Sequence, residues 1–269
     1  MAVVGLLMVG VVVVGAALAP LLSPYRPSAM SRDRLQPPSA KHILGTDSYG
    51  RDVFSRVLYG ARESLILGAL ALLIGATIGA TLGIVAGYFG GPIDIVLSRL
   101  MDMMLSFPSI MVALFVLAVF GTAGRMPLVI AIGLSLVPRF ARVARGATLP
   151  IRSQDYIVAA RSLGAGDWAI IVRHVLRNLV GPLTVLCSIY LPTVILIEAS
   201  LSFLGIGPPP NLPTWGRIIA DGRPYLRNAV WISVAPGIAI MLTVMGFNLV
   251  GDGLRDLLDP KTSKSIRRT

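Results

Sequence analysis

The sequence is short of almost everything that catalytic chemistry relies on. Its 269 residues include two histidines, His42 and His174, one cysteine, Cys187, and three lysines, at 41, 261 and 264. A single cysteine excludes an intrachain disulfide, and the Cys and His residues show no metal-ligand spacing. No lysine follows a glycine, so the Gly-Lys-Ser/Thr loop that cradles nucleotide phosphates is missing. No nucleophile, base and orienting group stand together as a catalytic site requires. The chain therefore does not read as an enzyme, and any coupling to ATP has to come from another polypeptide.

Charge is scarce too. Charged residues make up 14% and apolar residues 55%, where a soluble domain carries about a quarter charged. Uncharged stretches cover 1–25, 64–93, 103–124, 178–197 and 228–251. Each meets the roughly 20 residues that a helix needs to cross hydrocarbon. A sixth stretch, 126–138, continues its helical pattern past Arg139. The expectation is an all-α membrane protein with six transmembrane helices. The net charge of +11 raises the question of nucleic acid. Basic loops that orient spans and meet anionic membrane lipid account for it without a nucleic-acid partner. The first run lacks a basic n-region, and "ALAP" places proline after the last alanine, so 1–22 reads as a retained helix rather than a cleaved signal.

These runs divide the chain into a first transmembrane helix (1–22), a loop (23–63), a core of five spans (64–260) and a basic tail (261–269). An even number of spans puts both termini on one side. Arg139, Arg142, Arg145, Arg152, Arg161, Arg173 and Arg177 crowd one inter-helix region, and Arg255, Lys261, Lys264, Arg267 and Arg268 follow the last span. The positive-inside rule places both regions, and both termini, in the cytoplasm. The opposite loop 23–63 holds seven basic residues of its own, so the bias is not clean.

Gly75, Gly79, Gly83 and Gly87 are spaced by four and form a shallow groove for close helix approach, to a neighbour in the chain or to another subunit. Prolines at 108, 138, 192 and 236 predict kinks. Arg99 and Asp102, three apart, are placed to neutralise each other. Glu198 is expected near the external end of its span, where hydration is cheap. In the loop 206–227, "GPPPNLPTWG" is stiff, and Trp215 suits the membrane interface. That loop reads as a connector or as a gate that meets an external protein.

The remaining feature is "YIVAARSLGAGDWAIIVRHVLRN" at 156–178. Residues 153–163 predict a short helix with Ser153 as its N-cap and Gly164 as its C-terminal cap. Asp167 is expected to cap a second helix running to about 177. Ala159 and Ala160 leave one face nearly bare, so a foreign groove can approach the backbone, with arginines alongside for charge-assisted contacts. Composition alone is equally consistent with a basic re-entry loop.

The segment "AARSLGAGDWAIIVRHVLRN" resembles the EAA motif of ABC importer permeases, the loop that docks onto their ATP-binding subunit. More narrowly, the chain is similar to the C-type permease subunit of dipeptide, oligopeptide and nickel importers. In order, "LGTDSYGRDVFSRVLYGARESL" (44–65), "AGYFGGPIDIVLSRLMD" (86–102), "FPS" (107–109), "EASLSFLGIG" (198–207), "PTWG" (213–216) and "FNLVGDGLRDLLDP" (247–260) carry the likeness over nearly the whole chain. The resemblance implies a type I ABC importer permease fold with a cytoplasmic coupling helix in the bacterial inner membrane. It implies a second permease subunit as heterodimer partner, one or two cytoplasmic ATP-binding subunits that hold ATP and Mg, and an external solute-binding protein. This chain would bind no cofactor and no metal of its own.

Peptides are the expected cargo, with nickel, glutathione and haem as alternatives. A stand-alone secondary transporter or channel is the reading from another class, and it would want an internal repeat that is not seen. The expected docking set is Asp155, Tyr156, Ala159, Ala160, Arg161, Gly164, Ala165, Asp167, His174 and Asn178, with Trp215 and Glu198 as gate or binding-protein contacts. Two positions depart from the family pattern: the acidic first position of the motif is Val158, and its late proline is Arg177. Relatives begin with a short basic segment, so a longer N-terminus is expected as well.

Overall fold

The computed structural model describes residues 1–121, 124–209 and 211–258. The basic tail 261–269, with the cytoplasmic placement expected of it, lies outside the described residues, as does Pro210 of the stiff loop. Apart from a β-bridge between Thr46 and Asp52, the regular structure among the described residues is helical.

All six apolar stretches fall on helix, but not as six equal spans. Among the described residues, four helices are long and apolar enough to cross a membrane: Val53–Phe89, Arg125–Arg152, Asp167–Phe203 and Trp231–Asp256. A bent pair of helices supplies a fifth apolar length, as a broken span or a re-entrant loop. Gly91–Leu105 and Ser109–Phe120 meet at 98°, and Pro108, which cannot continue the ladder of the helix before it, stands at the break. The first apolar helix, Ala2–Ala17, is shorter, with 16 residues. It is interrupted at Leu18, and a four-residue helix, Ala19–Leu22, follows with Pro20 in its first turn.

In chain order these are α1 (Ala2–Ala17), α2 (Ala19–Leu22), α3 (Val53–Phe89), α4 (Gly91–Leu105), α5 (Ser109–Phe120), α6 (Arg125–Arg152), α7 (Asp155–Ser162), α8 (Asp167–Ile170), α9 (Leu176–Phe203), α10 (Trp215–Gly222) and α11 (Trp231–Leu258). A π-helical turn, Ile171–Val175, joins α8 to α9 without a break.

Helix α3 begins ten residues before the point at which the charge pattern places the end of the loop. Asp52 sets the start, accepting the Ser55 N–H at 2.8 Å. The helix is 37 residues, about 55 Å long, and so extends beyond the hydrocarbon. Its glycine row lies along α6. A Cβ at Gly79 would stand 2.5 Å from Phe140 Cβ, and one at Gly75 2.8 Å from Leu136 Cβ. Gly83 faces Ala141 and Ala144, and Gly87 faces Arg145 and Thr148. The pairing advances in step, so α3 and α6 run parallel in near backbone contact. The groove is filled from within the chain.

α1 runs antiparallel to α11, with Gly5 against Leu249 and Gly246 against Val9. Gly15 near the end of α1 faces Leu58 near the start of α3. The bundle therefore has two ends. The cap end holds the loop 23–52, the head of α3 and α10. The elbow end holds the chain start, the tail of α11, the tails of α3 and α6, and α7–α8. Between them the largest buried cluster includes Leu67, Ala71, Leu128, Ile132, Leu136, Phe140, Val194 and Leu201.

Candidate functional site

At the elbow end, α7 closes through Gly164. The Gly164 N–H donates to the Arg161 carbonyl and the Ala165 N–H to the Ala160 carbonyl, each at 3.0 Å. This paired closure requires the left-handed backbone found at Gly164, whose φ is +86°. Open space surrounds the position, so a larger residue there would suffer from conformation rather than collision.

Two expected caps differ. Ser153 does not cap α7; its hydroxyl donates back to the Pro150 carbonyl at 3.1 Å, and Gln154 occupies the N-cap without a side-chain bond. Asp167 is the first residue of α8 rather than its cap, which is Gly166. Its carboxylate is drawn away to Tyr88, whose hydroxyl donates to it at 2.7 Å. The second helix also does not stop near 177, because the π-helical turn carries it into α9.

The elbow brings most of the expected docking residues together. Ile157 and Ile170 are buried and seat it on Tyr88, Ala144 and Leu179. On the outer side Asp155, Tyr156, Val158, Ala159, Arg161 and Gly164 are exposed, while Ala160 and Ala165 are partly covered. Leu163 and Trp168 protrude, 89% and 78% exposed. Tyr156 stacks on His174 with centroids 5.7 Å apart, and the Asn178 amide donates to the His174 carbonyl at 2.7 Å. The result is a small-residue platform flanked by two large apolar side chains and several arginines.

The cap end is built in the opposite way. Asp47 accepts Arg51 Nε at 2.6 Å and Arg56 Nη1 at 2.5 Å. Asp221 of α10 accepts Arg51 Nη2 at 3.2 Å, Arg56 Nη2 at 3.1 Å and Arg217 Nε at 3.0 Å. Arg56 is fully buried. Nearby, His42 Nδ1 lies 2.9 Å from the Asp52 carboxylate that caps α3. Sequence reading found none of this, since the partners stand up to 170 positions apart. The one available signal was the concentration of both charge signs in "TDSYGRDVFSR" (46–56).

Trp215 and Glu198, expected as gate or binding-protein contacts, are both buried. Trp215 is 1% exposed. Its backbone N–H donates to Ser64 Oγ at 3.1 Å and its indole N–H to the Val57 carbonyl at 3.0 Å, so α3 satisfies both groups internally. Glu198 is 1% exposed rather than hydrated. It accepts hydroxyls from Ser202 and Thr214, each at 2.7 Å, and Thr214 in turn caps α10.

Nor does Asp102 pair with Arg99. It accepts Arg142 Nη2 of α6 at 2.7 Å, and Asp94 is held by the guanidinium of Arg145. The polar side of α4 thus neutralises arginines of α6 rather than its own.

Comparison with known proteins agrees along the chain. Residues 79–264 match the family described as binding-protein-dependent transport system inner membrane component, and residues 1–38 match the N-terminal TM domain of oligopeptide transport permease C. A putative peptide transport system permease protein of Brucella suis biovar 1 (strain 1330) is 44% identical over 259 residues, 96% of this chain and 87% of that protein. The dipeptide transport system permease protein DppC of Alkalihalophilus pseudofirmus is 43% identical over 263 residues, 97% of this chain and 86% of that one. The glutathione transport system permease protein GsiD of Pectobacterium atrosepticum is 44% identical over 230 residues, 85% and 76% of the two chains. In fold, the chain is similar to the inward-facing MetNI methionine ABC transporter, with TM-score 0.61 over 77% of this chain and 98% of that one at 20% identity.

Proposed function

Because the chain belongs to the family of binding-protein-dependent transport system inner membrane components, as a membrane-spanning permease subunit of an ABC importer, we propose that it carries di- and oligopeptides and receives work at its elbow. The cargo reading rests on relatives named for peptides and dipeptides across 96% and 97% of the chain. Glutathione, itself a tripeptide-like solute, falls within the same chemistry. On this reading the subunit forms half of a translocation pathway with a second permease. One or two cytoplasmic ATPases hold ATP and Mg, and a solute-binding protein delivers cargo at the cap end. Both termini and the elbow then share the cytoplasmic side of the bacterial inner membrane.

The observation that carries the docking role is the elbow itself. Ala159 and Gly164 are exposed on the same elbow as the protruding Leu163 and Trp168, a surface that admits a groove close to the backbone. Nucleotide binding favours one arrangement of the ATPases and so displaces α7–α8, an alternating-access cycle driven by differential affinity.

The test replaces Gly164 with valine, which is strained at φ +86° by about 1–2 kcal/mol. The expected result is membrane insertion as in the wild type, with ATP hydrolysis uncoupled from uptake in liposomes that contain all subunits. Normal uptake by this variant, or uptake by the purified chain alone, would defeat the reading.

A further inference from the structure

Resting on the docking role just proposed for the elbow, we infer that Tyr88 is the positioning residue through which elbow movement reaches the membrane helices. It is the penultimate residue of α3, 79 positions from Asp167, and is 5% exposed. Its ring lies in the same buried cluster as Ile157 of α7 and Ile170 of α8. Its hydroxyl donates to Asp167 at 2.7 Å and accepts Arg161 Nη2 at 3.0 Å, while Arg161 and Asp167 stand 3.6 Å apart. Both arms of the elbow, α7 through Arg161 and α8 through Asp167, therefore converge on one side chain from α3.

Both covalent routes from elbow to membrane are compliant by comparison, and the one back into α6 passes Pro150 and Pro138. The one onward passes through the π-helical turn Ile171–Val175 and then through α9, which contains Pro182 and Pro192. Such turns and prolines are where helices bend. By contrast α3 is unbroken over 37 residues and contains no proline. Its glycine row locks it against α6, and the head of α3 reaches the buried charges of the cap. A pull on Tyr88 is thus passed along an unbroken, proline-free helix to its far end. Asp167 and Arg161 are each more than half exposed at the side chain, and the buried Tyr88 is the partner they share.

The experiment uses the complete transporter in liposomes, with Tyr88→Phe, Asp167→Asn and the double variant. Phenylalanine retains the ring packing and removes only the hydroxyl. Solute taken up per ATP hydrolysed is expected to fall about tenfold in Tyr88→Phe, the effect of losing a hydrogen bond to charged groups. Asp167→Asn is expected to add little on top, since both act through one contact. In Tyr88→Phe the amount of ATPase that copurifies is expected to stay at the wild-type level. An unchanged ratio, additive losses, or a Tyr88→Phe protein that no longer retains the ATPase would each overturn the inference, the last by showing a merely structural role. If instead the wild-type elbow proves not to contact the ATPase, as read by crosslinking from a cysteine at Leu163, the docking role fails independently of Tyr88.

Discussion

The two ends of this subunit hold themselves together by opposite means. At the cap, three guanidinium groups and two carboxylates interlock below the surface, with Arg56 fully buried. At the elbow, a single tyrosine hydroxyl ties together two side chains that water reaches freely. Separating buried charges is expensive, because each would be left without its partner in a low dielectric. Shifting exposed ones costs less, because water replaces part of the lost contact. The cap is therefore built to travel as one piece and the elbow to change position.

The sharpest way to break this contrast is Arg56→Met. With Asp47 and Asp221 each deprived of a guanidinium, the expected cost is about 3–5 kcal/mol, read as a large fall in the thermal midpoint of the detergent-solubilised protein. A midpoint that barely moves would mean that apolar contacts hold the cap and that the buried charges are incidental.

Next in size is the strip joining the two ends. In Gly79→Leu the new side chain begins 2.5 Å from Phe140 Cβ, and overpacking of this kind costs about 1–3 kcal/mol. Gly146→Leu is the control, since nothing lies within 4 Å of the corresponding Cβ. It should be neutral or slightly stabilising. Equal losses at both positions would show that helix register, not close approach, matters along this strip.

At the elbow, Val158→Glu restores the acid usual at that motif position on a residue that is 56% exposed. Uptake per ATP should be unchanged or modestly raised, within about twofold, as for an exposed ion pair. A severe defect would argue against simple docking there.

The smallest effect belongs to the cap's outer skin. The Lys41 ammonium beside Asp33, 2.5 Å away, holds that carboxyl below its ordinary range. A depressed carboxyl stabilises the fold above its ordinary pKa of 3.8 and loses that contribution as pH falls through its own lower value. Asp33→Asn should therefore narrow, slightly, the difference in melting between neutral pH and about pH 3. A large narrowing would mean that the exposed pair matters as much as the buried one.

The helices were legible because apolar length and the four-residue glycine spacing are local properties. Gly164 was legible for the same reason, since a left-handed helix end nearly selects its residue. What escaped were pairings decided by distant segments. Arg56 read as a loop residue because its charge suggests water, whereas Asp47 and Asp221 provide for it inside. Asp102 met Arg99 on paper by spacing, but α6 lies on its side of α4 and offers Arg142. Trp215 was placed at an interface by residue type, while the carbonyl that claims its indole belongs to Val57, 158 positions earlier. The angle at Pro108 was foreseeable as a kink but not as a near right-angled one, because the size of a bend depends on what the second half packs against.

The attachment of α10 to the head of α3 has a geometric consequence. With its tryptophan, its cap threonine and Asp221 all engaged by neighbouring helices, α10 cannot swing aside as a lid of its own. On the proposed function, an outward mouth forms by tilting of α3 and everything riveted to it, much as a clamshell parts at its rim while each shell keeps its shape.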